Sequence, residues 1–529
     1  MDIKKHVVAV SLLVGLGSAV TLDSLAAEQP ERLFLQQVST HSAVVKWRGG
    51  DGASVCYSRK LKNLSKKKWP RCADGVVTDG GHMEARLTGL APDKNYFYSV
   101  GGSVSSEQQF RTAPNSNKPP KDGNTHILIV GDSGTQTELD DGELEHDGEA
   151  ARALAGFETY NAANGNEPVD IFLALGDNAY VSGTDAQWQG AFFDIYPDIL
   201  KSAFTLPTIG NHEMGYGPLP LCALDPRVCE VVPPIIIPLA GVSTSADAAS
   251  YDGNGDLQPD GTGMPYFDIF SLPTAAESGG VPSGTEQYYS VDYGNVHIVS
   301  LDSQLSARDP GQRAAMKEWL MADLAANNRD WTIVIFHHPP YSKGTNHDSD
   351  TANQRLDIDQ PQWDMRNEFT PVFESYGVDV VYSGHAHSYE RSFYLRGLTV
   401  TSDEMTALED YVELNDEGEP ALGYGDESYQ QLSPTSGGLD DRVVYTVAGS
   451  SGKADSAPGG FDNPAEWLRH PAHLPQPADQ LENGCGTEDG CHHGLAVLGN
   501  VVLDVSKNAL TARFVDEFGE VLDQFTITR

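Results

Sequence analysis

Basic residues are scarce in this chain of 529 residues, where 35 lysines and arginines face 75 aspartates and glutamates for a formal net charge of −40. Such a surface repels nucleic acid and anionic membranes, which argues against a nucleic-acid-binding groove. Excess carboxylates are typical of proteins that are highly soluble or adapted to salt. An acidic surface that serves one particular partner is the alternative.

Long apolar runs are absent beyond the first residues, so nothing further along the chain is long enough to cross a bilayer. The start has two lysines, a short apolar run over residues 7–22 and then Ala26 and Ala27. This layout predicts a secretory signal peptide over residues 1–27, with an uncleaved membrane anchor as the alternative. We therefore expect a secreted or periplasmic protein whose mature chain has no membrane span.

Cysteine is rare, and the spacing of the six cysteines excludes the CxxC pattern of zinc ribbons and redox sites. Export permits disulfides, and proximity along the chain predicts three local pairs, although six cysteines allow 15 connectivities. The pairs are Cys56/Cys72, Cys222/Cys229 and Cys485/Cys491.

The region 28–114 has strand patterns only, such as the alternation in SAVVKW (42–47). A turn followed by tyrosines two apart, in LAPDKNYFYSV (90–100), resembles the tyrosine corner of immunoglobulin-like sandwiches. The sequence predicts a fibronectin type III-like domain here, with no sign of chemistry. Residues 115–125, rich in proline, asparagine and lysine, are the expected linker.

After the linker the pattern changes to continuous apolar runs separated by segments such as the helical 311–328. Continuous apolar strands predict a sheet covered on both faces, and hence an α/β catalytic domain over 126–529. Two turn-rich acidic insertions, at about 214–290 and 393–440, are expected to form loops or lids over the core.

Five of these runs end directly in polar motifs, usually after a glycine. The motifs are GDSG (131–134), GDNAY (176–180), GNHE (210–213), HHPP (337–340) and GHAHSYER (384–391). Carboxyl ends of strands are where α/β sheets gather their sites, and glycine lets the backbone turn sharply there. Burying unpaired polar groups costs several kcal/mol, so packing alone gives no reason for this series.

The sequence lacks a GxSxG nucleophile elbow, but the five motifs offer seven donor side chains. They are Asp132, Asp177, Tyr180, Asn211, His337, His385 and His387. Seven donors are too many for one four-coordinate zinc ion and suit two metals with a bridging carboxylate. Oxygen and imidazole donors without thiolate favour iron, zinc or manganese.

These blocks, in this order, resemble the calcineurin-like metallophosphoesterases and, within them, the purple acid phosphatases. The superfamily usually opens with Asp-x-His, whereas Gly134 stands at the place of that histidine here. The purple acid phosphatases replace the lost ligand with the tyrosine of a Gly-Asp-x-x-Tyr block, which is Tyr180 in this chain. The resemblance implies a metallophosphoesterase β-sandwich flanked by helices.

The resemblance also implies roles for the donors. Asp132, Tyr180 and His387 would bind the first metal, Fe(III), and Asn211, His337 and His385 a second divalent metal (Fe, Zn or Mn). Asp177 would bridge. His212 would contact the phosphate, and His347, or alternatively His212, would act as the catalytic acid that protonates the leaving group. A solvated loop histidine is the alternative for His347.

Five further residues are given lesser roles. If strand geometry persists, His338 faces away from the site, so we expect it to support a neighbouring residue or to be structural, with contact to the substrate as the alternative. Glu213 and Glu390 are expected to orient histidines. Tyr389 and Arg391 are expected to pack and to form ion pairs.

The expected function is an exported phosphatase that hydrolyses small phosphate monoesters by attack of a metal-activated hydroxide, of the acid phosphatase type. A phosphodiesterase or nucleotidase of the same superfamily is one alternative. A surface binding protein with structural metals is an alternative from another class. The sequence gives neither the natural substrate nor the oligomeric state.

Overall fold

The computed structural model describes residues 30–50, 53–66, 70–134, 137–138, 144–145, 148–180, 183–214, 216–220, 236–240, 264–304, 306–307, 309–344, 347–350, 359–431, 442–454, 467–475 and 492–529. The expected signal peptide lies outside these residues, as do the cysteine pairs Cys222/Cys229 and Cys485/Cys491 and most of the first insertion. Within the described ranges, no helix combines the length and apolar character needed to cross a bilayer.

The N-terminal region is all strand apart from one short helix. Its elements are β1 (Glu31–Gln36), β2 (Ser42–Arg48), β3 (Ser54–Ser58), α1 (Leu61–Leu64), β4 (Arg71–Asp74), β5 (Val76–Val77), β6 (His82–Thr88), β7 (Asn95–Val100) and β8 (Gln109–Arg111).

The rest of the chain alternates strands and helices in its first half and ends in strands. The elements are β9 (Thr125–Val130), β10 (Thr137–Glu138), β11 (Leu144–Glu145), α2 (Glu149–Ala163), β12 (Ile171–Ala174), α3 (Asp185–Trp188), α4 (Pro197–Leu200), β13 (Phe204–Pro207), β14 (Tyr216–Pro220), β15 (Ile236–Ala240), α5 (Pro265–Ile269), β16 (Tyr289–Tyr293), β17 (Val296–Ser300), α6 (Pro310–Ala326), β18 (Trp331–Ile335), β19 (Lys343–Gly344), β20 (His347–Asp348), α7 (Gln360–Asp364), α8 (Thr370–Ser375), β21 (Val380–Ser383), β22 (Tyr389–Leu395), β23 (Tyr429–Gln430), β24 (Val443–Ala448), β25 (Gly499–Val505), β26 (Ala509–Asp516) and β27 (Val521–Thr528). Short 3-10 or π turns cover Asp79–Gly81, Gln189–Phe193, His212–Met214, Met365–Phe369, Ser402–Glu404, Leu408–Asp410 and Gly425–Glu427.

Two large sheets form the body of the protein. One has eleven strands in the order β23-β27-β26-β25-β9-β12-β13-β1-β2-β6-β5, and the other has six in the order β16-β17-β18-β21-β24-β22. Their facing side chains share one hydrophobic core, to which Ile129 of β9 and Ile335 of β18 both belong. The predicted α/β class, a sandwich of sheets flanked by helices, is confirmed.

Helices cover the outer face of the six-stranded sheet, which is why its strands are apolar on both sides. In β18, Ile333 and Ile335 point into the core between the sheets, whereas Val334 belongs to a second core with Met316 of α6 and Phe373 of α8. The predicted helix over 311–328 is therefore confirmed as α6, which starts at Pro310. Its N-cap is Asp309, whose side chain accepts a hydrogen bond from the Gln312 N–H.

The N-terminal strands pack as two sheets, of which β4-β3-β7-β8 is separate and the other continues the eleven-stranded sheet. Strand β1 runs parallel to β13, with Leu35 opposite Phe204, so the sheet passes directly across the expected domain boundary. The expected tyrosine corner has its hydrogen bond, since the Ala91 N–H donates to the Tyr96 hydroxyl oxygen at 2.9 Å. The predicted Cys56–Cys72 disulfide is also present, across β3 and β4.

The last part of the first insertion, residues 264–290, packs beside the N-terminal strands. Phe270 stacks edge-on with Phe34 of β1 at 5.7 Å between ring centroids, and the Tyr266 hydroxyl donates to the Pro207 carbonyl at 3.1 Å. This part of the insertion therefore joins the N-terminal sheet to β13 by aromatic packing.

Candidate dinuclear metal site

The site lies where five parallel-running strands end. In the larger sheet β9, β12 and β13 are neighbours, and in the smaller sheet β18 and β21 are neighbours. Asp132, Asp177, Asn211, His337 and His385 follow these strands within a few residues, in that order. Because the two sheets face each other, the five loops meet at one end of the sandwich, as the sequence predicts.

Three of the seven donors meet at the hydroxyl of Tyr180. This hydroxyl donates to Asp132 Oδ1 at 3.0 Å and lies 3.2 Å from His387 Nε2. These are the three residues expected at the first metal.

Three other donors meet at the side-chain oxygen of Asn211. Its Oδ1 lies 3.1 Å from His337 Nε2 and 3.0 Å from His385 Nδ1. These are the residues expected at the second metal. The far nitrogen of His337, Nδ1, donates to the Leu175 carbonyl at 2.9 Å, which directs Nε2 toward Asn211.

Asp177 lies between the two groups. Its Oδ2 accepts from the Tyr180 hydroxyl at 3.1 Å and is 3.3 Å from His337 Nε2. Its Oδ1 accepts from the backbone N–H of His212 at 2.8 Å. One carboxylate thus contacts a member of each group, which is the position expected of a bridging ligand.

The backbone at the site is strained where the donors stand. Asp132, Asp177 and His385 have φ angles of 51°, 52° and 71°, a left-handed conformation that costs a non-glycine residue about 1 kcal/mol or more. Strain of this kind persists only where surrounding contacts enforce it, and it clusters at functional sites.

Gly134 explains why this chain uses a tyrosine. A Cβ at this position would lie 2.1 Å from the backbone carbonyl carbon of Asn178, so the backbone of the second loop fills the space that a side chain needs. The Tyr180 N–H donates to the Gly134 carbonyl at 2.9 Å, and this contact brings the tyrosine onto the first loop.

Buried carboxylates give the site a strong preference for positive charge. Burial raises the pKa of Asp132 well above its usual value, and the neighbouring Asp177 adds to the effect. Burial also favours the neutral acid at Asp177, but His337 and His212 hold its pKa below its usual value. Tyr180, buried beside both carboxylates, has a raised pKa, so its hydroxyl keeps the proton that it donates to them.

The two second-group histidines differ in charge. Burial opposes charge on His337, yet the Asp177 carboxylate raises its pKa to about 9, so a proton occupies the side of the ring that faces Asn211. Burial and the nearby His347 lower the pKa of His385 well below its usual value, so His385 is neutral and has a nitrogen lone pair available for coordination.

The donor set fits a pair of metal ions. Oxygen and imidazole donors converge without thiolate, and clusters of ligand atoms within 4.8 Å of one another include Asp132, Asp177 and His337. Two buried acids and a buried phenol in contact are costly unless a cation offsets them.

His212 and His347 lie at the rim of the site. Their side chains are 21% and 14% exposed, whereas the seven donors are buried. The His212 ring packs on Tyr180 at 4.2 Å between centroids, and His347 packs on His385 at 3.7 Å. Both predicted substrate-facing histidines are therefore brought to the site by the fold.

The condition placed on His338 is not met, because β18 ends at Ile335 and strand alternation no longer applies. Its ring lies 4.4 Å from that of His385, and its Nδ1 is 2.9 Å from the Ser303 hydroxyl, so it supports a candidate ligand as expected. Glu213 differs from the expectation: among the described residues, its carboxylate accepts from the backbone N–H groups of Gly210, Asn178 and Asp177, at 2.6, 2.7 and 2.9 Å, and not from a histidine.

Glu390 has a histidine partner, but not a predicted ligand. Its Oε2 is 3.0 Å from His473 Nδ1, and its Oε1 accepts from the hydroxyls of Ser342 and Ser388 at 2.8 and 3.0 Å. Arg391 forms the expected ion pair, since its Nε donates to Asp523 at 2.6 Å.

Sequence reasoning missed one buried carboxylate at the site, that of Asp359. Its Oδ1 lies 2.7 Å from His347 Nδ1 and 3.1 Å from His385 Nε2. The only local pattern around it, Asp-Gln-Pro, predicts a helix N-cap. No sequence motif places it near the histidines.

Comparison with known proteins agrees with the fold. The profile of the calcineurin-like phosphoesterase family matches residues 125–389, which is half of the chain. Purple acid phosphatase 23 of Arabidopsis thaliana is 26% identical over 407 residues, which cover 70% of this chain and 75% of that protein. Purple acid phosphatase 15 of the same plant is 27% identical over 331 residues, covering 60% of this chain and about half, 51%, of that protein.

Among solved structures, the purple acid phosphatase PPD1 from yellow lupin (Lupinus luteus) seeds shares the fold. The TM-score is 0.58 at 18% identity, over 95% of this chain and 75% of that one. The family match and the paired donor groups define a metal-dependent phosphoric-ester hydrolase that resembles the purple acid phosphatases. The chain belongs to the calcineurin-like phosphoesterase family.

Proposed function

We propose that this protein is an exported acid phosphatase that hydrolyses small phosphate monoesters at a dinuclear metal centre. The observation that carries the proposal is the position of Asp177, whose Oδ2 contacts Tyr180 of one donor group and His337 of the other. Fe(III) at Asp132, Tyr180 and His387, and a divalent Fe, Zn or Mn at Asn211, His337 and His385, match the chemistry of each group.

Two bound cations would offset the charge of the phosphate and lower the pKa of a water molecule at the site. The residues of the chain supply the rest. The backbone N–H of His212 donates to Asp177, and its ring packs on Tyr180. The His212 ring is thereby placed to donate a hydrogen bond to a phosphate oxygen. His347, on the other side of the site, is placed to protonate the departing alkoxide from Nε2, since its Nδ1 faces Asp359.

The proposed export rests on the N-terminal sequence alone, in which a short apolar run follows two lysines. Mass spectrometry of the mature N-terminus checks it: a chain that starts after Ala26 or Ala27 supports cleavage, and an intact Met1 or Asp2 refutes it.

Hydrolysis of p-nitrophenyl phosphate by protein loaded with iron and zinc tests the activity. The Asp177→Asn variant should lose at least about a hundredfold in kcat, because the carboxylate that joins both donor groups is gone. The matched control is Asp426→Asn, which removes an exposed carboxylate and should leave kcat unchanged. If the wild-type protein hydrolyses no p-nitrophenyl phosphate at any pH from acid to alkaline, the proposal is wrong.

Bis(p-nitrophenyl) phosphate, assayed under the same conditions, separates monoester from diester preference. A larger kcat/KM for the monoester is expected. A larger value for the diester would assign the protein to the phosphodiesterases of the same family. Full biological effect of the inactive Asp177→Asn variant would instead favour a binding protein.

A further inference from the structure

The buried carboxylate of Asp359 connects a substrate-facing histidine to a candidate metal ligand. Its Oδ1 lies 2.7 Å from Nδ1 of His347 and 3.1 Å from Nε2 of His385, and the Gln362 amide donates to the same oxygen at 3.0 Å. Asp359 is fully buried and His385 is 2% exposed, so solvent does not screen these contacts.

Asp359 stands at a helix N-terminus but does not cap the helix. It is the N-cap residue of α7, where an aspartate ordinarily accepts from an N–H of the first turn and stabilises the helix by about 1 kcal/mol. Its side chain makes no such capping bond. The carboxylate points instead at the two imidazoles, so its contact with them replaces a local stabilising interaction.

The acceptor character of a carboxylate fixes both rings. An ionised carboxylate has no proton to donate, so the ring nitrogens that face it, His347 Nδ1 and His385 Nε2, must carry hydrogens. In a neutral imidazole the opposite nitrogen keeps its lone pair, whereas in a protonated one, the form in which His347 would act as an acid, that nitrogen carries the second hydrogen. For His385 that nitrogen is Nδ1, 3.0 Å from Asn211 Oδ1 within the second donor group.

The other histidine of this group is held in the same way. His337 donates from Nδ1 to the Leu175 carbonyl at 2.9 Å, which directs Nε2 toward Asn211, and the proton that Nε2 carries without a metal would have to leave before this nitrogen could coordinate. The Leu175 carbonyl thus does for His337 what the Asp359 carboxylate does for His385. Partners of this kind orient metal-binding imidazoles and strengthen them as ligands.

We propose that Asp359 is a positioning residue that holds His385 Nδ1 toward the second metal and His347 Nε2 toward the substrate. The inference deepens the proposed function and rests on it for the role of His347. It couples the two parts of the site, because one carboxylate sets the orientation of a metal ligand and of the proton donor.

The hairpin that carries His347 is braced from its other side. Gly344 and His347 are paired across β19 and β20, and Lys343 Nζ contacts Asp348 and Asp350 at 3.4 and 3.1 Å. The backbone of His347 is therefore fixed by its hairpin, which leaves the rotation of its ring for Asp359 to set.

Zinc affinity tests the metal side of the proposal, with a readout that needs no catalysis. Zinc alone is titrated against a chromophoric chelator in wild type, Asp359→Ala, Asp359→Asn and the control Asp364→Ala, and metal per chain is measured by mass spectrometry. Asp364 lies on the same helix, but its carboxylate pairs with Arg313 at 2.6 Å. Asp359→Ala should bind the second zinc about 10- to 100-fold more weakly, and Asp364→Ala like wild type.

The isosteric Asp359→Asn variant keeps an acceptor oxygen and is expected to fall between wild type and Asp359→Ala. It also serves as the test if the alanine variant does not fold. Unchanged zinc affinity in the folded alanine variant overturns the proposal. So does a third zinc ion in wild type that is lost with Asp359, since His347, Asp359 and His385 would then form a metal site of their own.

A double-mutant cycle tests the substrate side. With glycerol phosphate as substrate, Asp359→Ala should lower kcat about tenfold to a hundredfold with little change in KM, because a misdirected proton donor is lost from the transition state. In the His347→Ala background, Asp359→Ala should lower kcat much less. If the two losses in kcat are fully additive on a logarithmic scale, the proposed coupling between Asp359 and His347 is wrong. If wild type hydrolyses no phosphate ester, the proposed function fails, and the zinc measurement still decides whether Asp359 positions His385.

Discussion

The hydroxyl of Tyr180 lies 3.1 Å from Oδ2 of Asp177, and this contact joins the two donor groups of the site. The same hydroxyl donates to Asp132 at 3.0 Å. A tyrosine therefore stands where two carboxylates meet, and its phenol oxygen would be a hard anionic ligand if a bound cation took the place of its proton. This arrangement supports the proposal of ferric iron at the first group.

Replacing Tyr180 by phenylalanine should remove the visible absorption of the iron-loaded protein. The band arises from charge transfer between a phenolate and ferric iron, and phenylalanine has no oxygen to bind. The ring contact with His212, at 4.2 Å, needs no hydroxyl and should persist, so the protein should fold. Absorption spectra of iron-loaded wild type and variant make the comparison.

The exposed Tyr424, changed to phenylalanine, is the control for that experiment and should leave the spectrum unaltered. A variant at Tyr180 that keeps its colour would show that another residue supplies the phenolate. A colourless wild-type protein with bound iron would refute the ferric assignment.

Gly134→Ala should abolish metal binding and lower the melting temperature. The new methyl group would lie 2.1 Å from the Asn178 carbonyl carbon, and the only relief is movement of the loop that carries Asp177 and Tyr180. Metal content and thermal unfolding measure the effect. Gly311→Ala, in helix α6 with its nearest atom 3.2 Å away, is the matched control and should be neutral or slightly stabilising. Normal metal content in Gly134→Ala would mean that the loop carrying Asp177 and Tyr180 can move to accept the methyl group without losing the metal site.

His347→Ala should lower kcat more for substrates with a more basic leaving group. An alkyl alkoxide needs a proton as it departs, whereas p-nitrophenolate does not, so kcat should fall about 100-fold or more for glycerol phosphate and far less for p-nitrophenyl phosphate. Steady-state kinetics on both esters test this. Equal losses on the two substrates would assign His347 to binding or structure instead of proton transfer.

His297 should make stability fall as the pH rises above neutrality. It is buried between two carboxylates, with Nδ1 2.9 Å from Asp292 and Nε2 2.8 Å from Asp323. Although burial opposes the charge, these neighbours raise its pKa from 6.5 to about 9. The folded state therefore holds the proton more tightly, and about 3 kcal/mol of stability, complete below pH 6.5, is lost as the pH rises through 9.

Denaturant unfolding of wild type and His297→Gln at pH 6 and pH 9.5 checks this. Wild type should be the more stable at pH 6, and the difference between the two proteins should shrink at pH 9.5. A difference that stays constant across this range would mean that His297 is neutral in the folded protein.

Local signals were sufficient for much of this structure. Each apolar run, such as 332–336, was long enough and uniform enough to mark a buried strand, and the glycine or polar residue that followed marked its end. Parallel strands end on one side of a sheet, so the order of motifs alone predicted that Asp132, Asp177, Asn211, His337 and His385 would meet. Strand alternation could not place His338, because it holds only while the strand continues, and β18 stops at Ile335.

The residue types of the site and their attachment to strand ends were thus determined by the sequence, because strand formation and sharp turns depend on neighbouring residues. The tertiary structure alone decided that Asp359, 26 positions before His385, turns its carboxylate to two imidazoles and away from its own helix. It also decided that the N-terminal strands continue the large sheet through the pairing of Leu35 with Phe204. Contacts between distant segments depend on how whole sheets and loops pack, and no local pattern of residues encodes that packing.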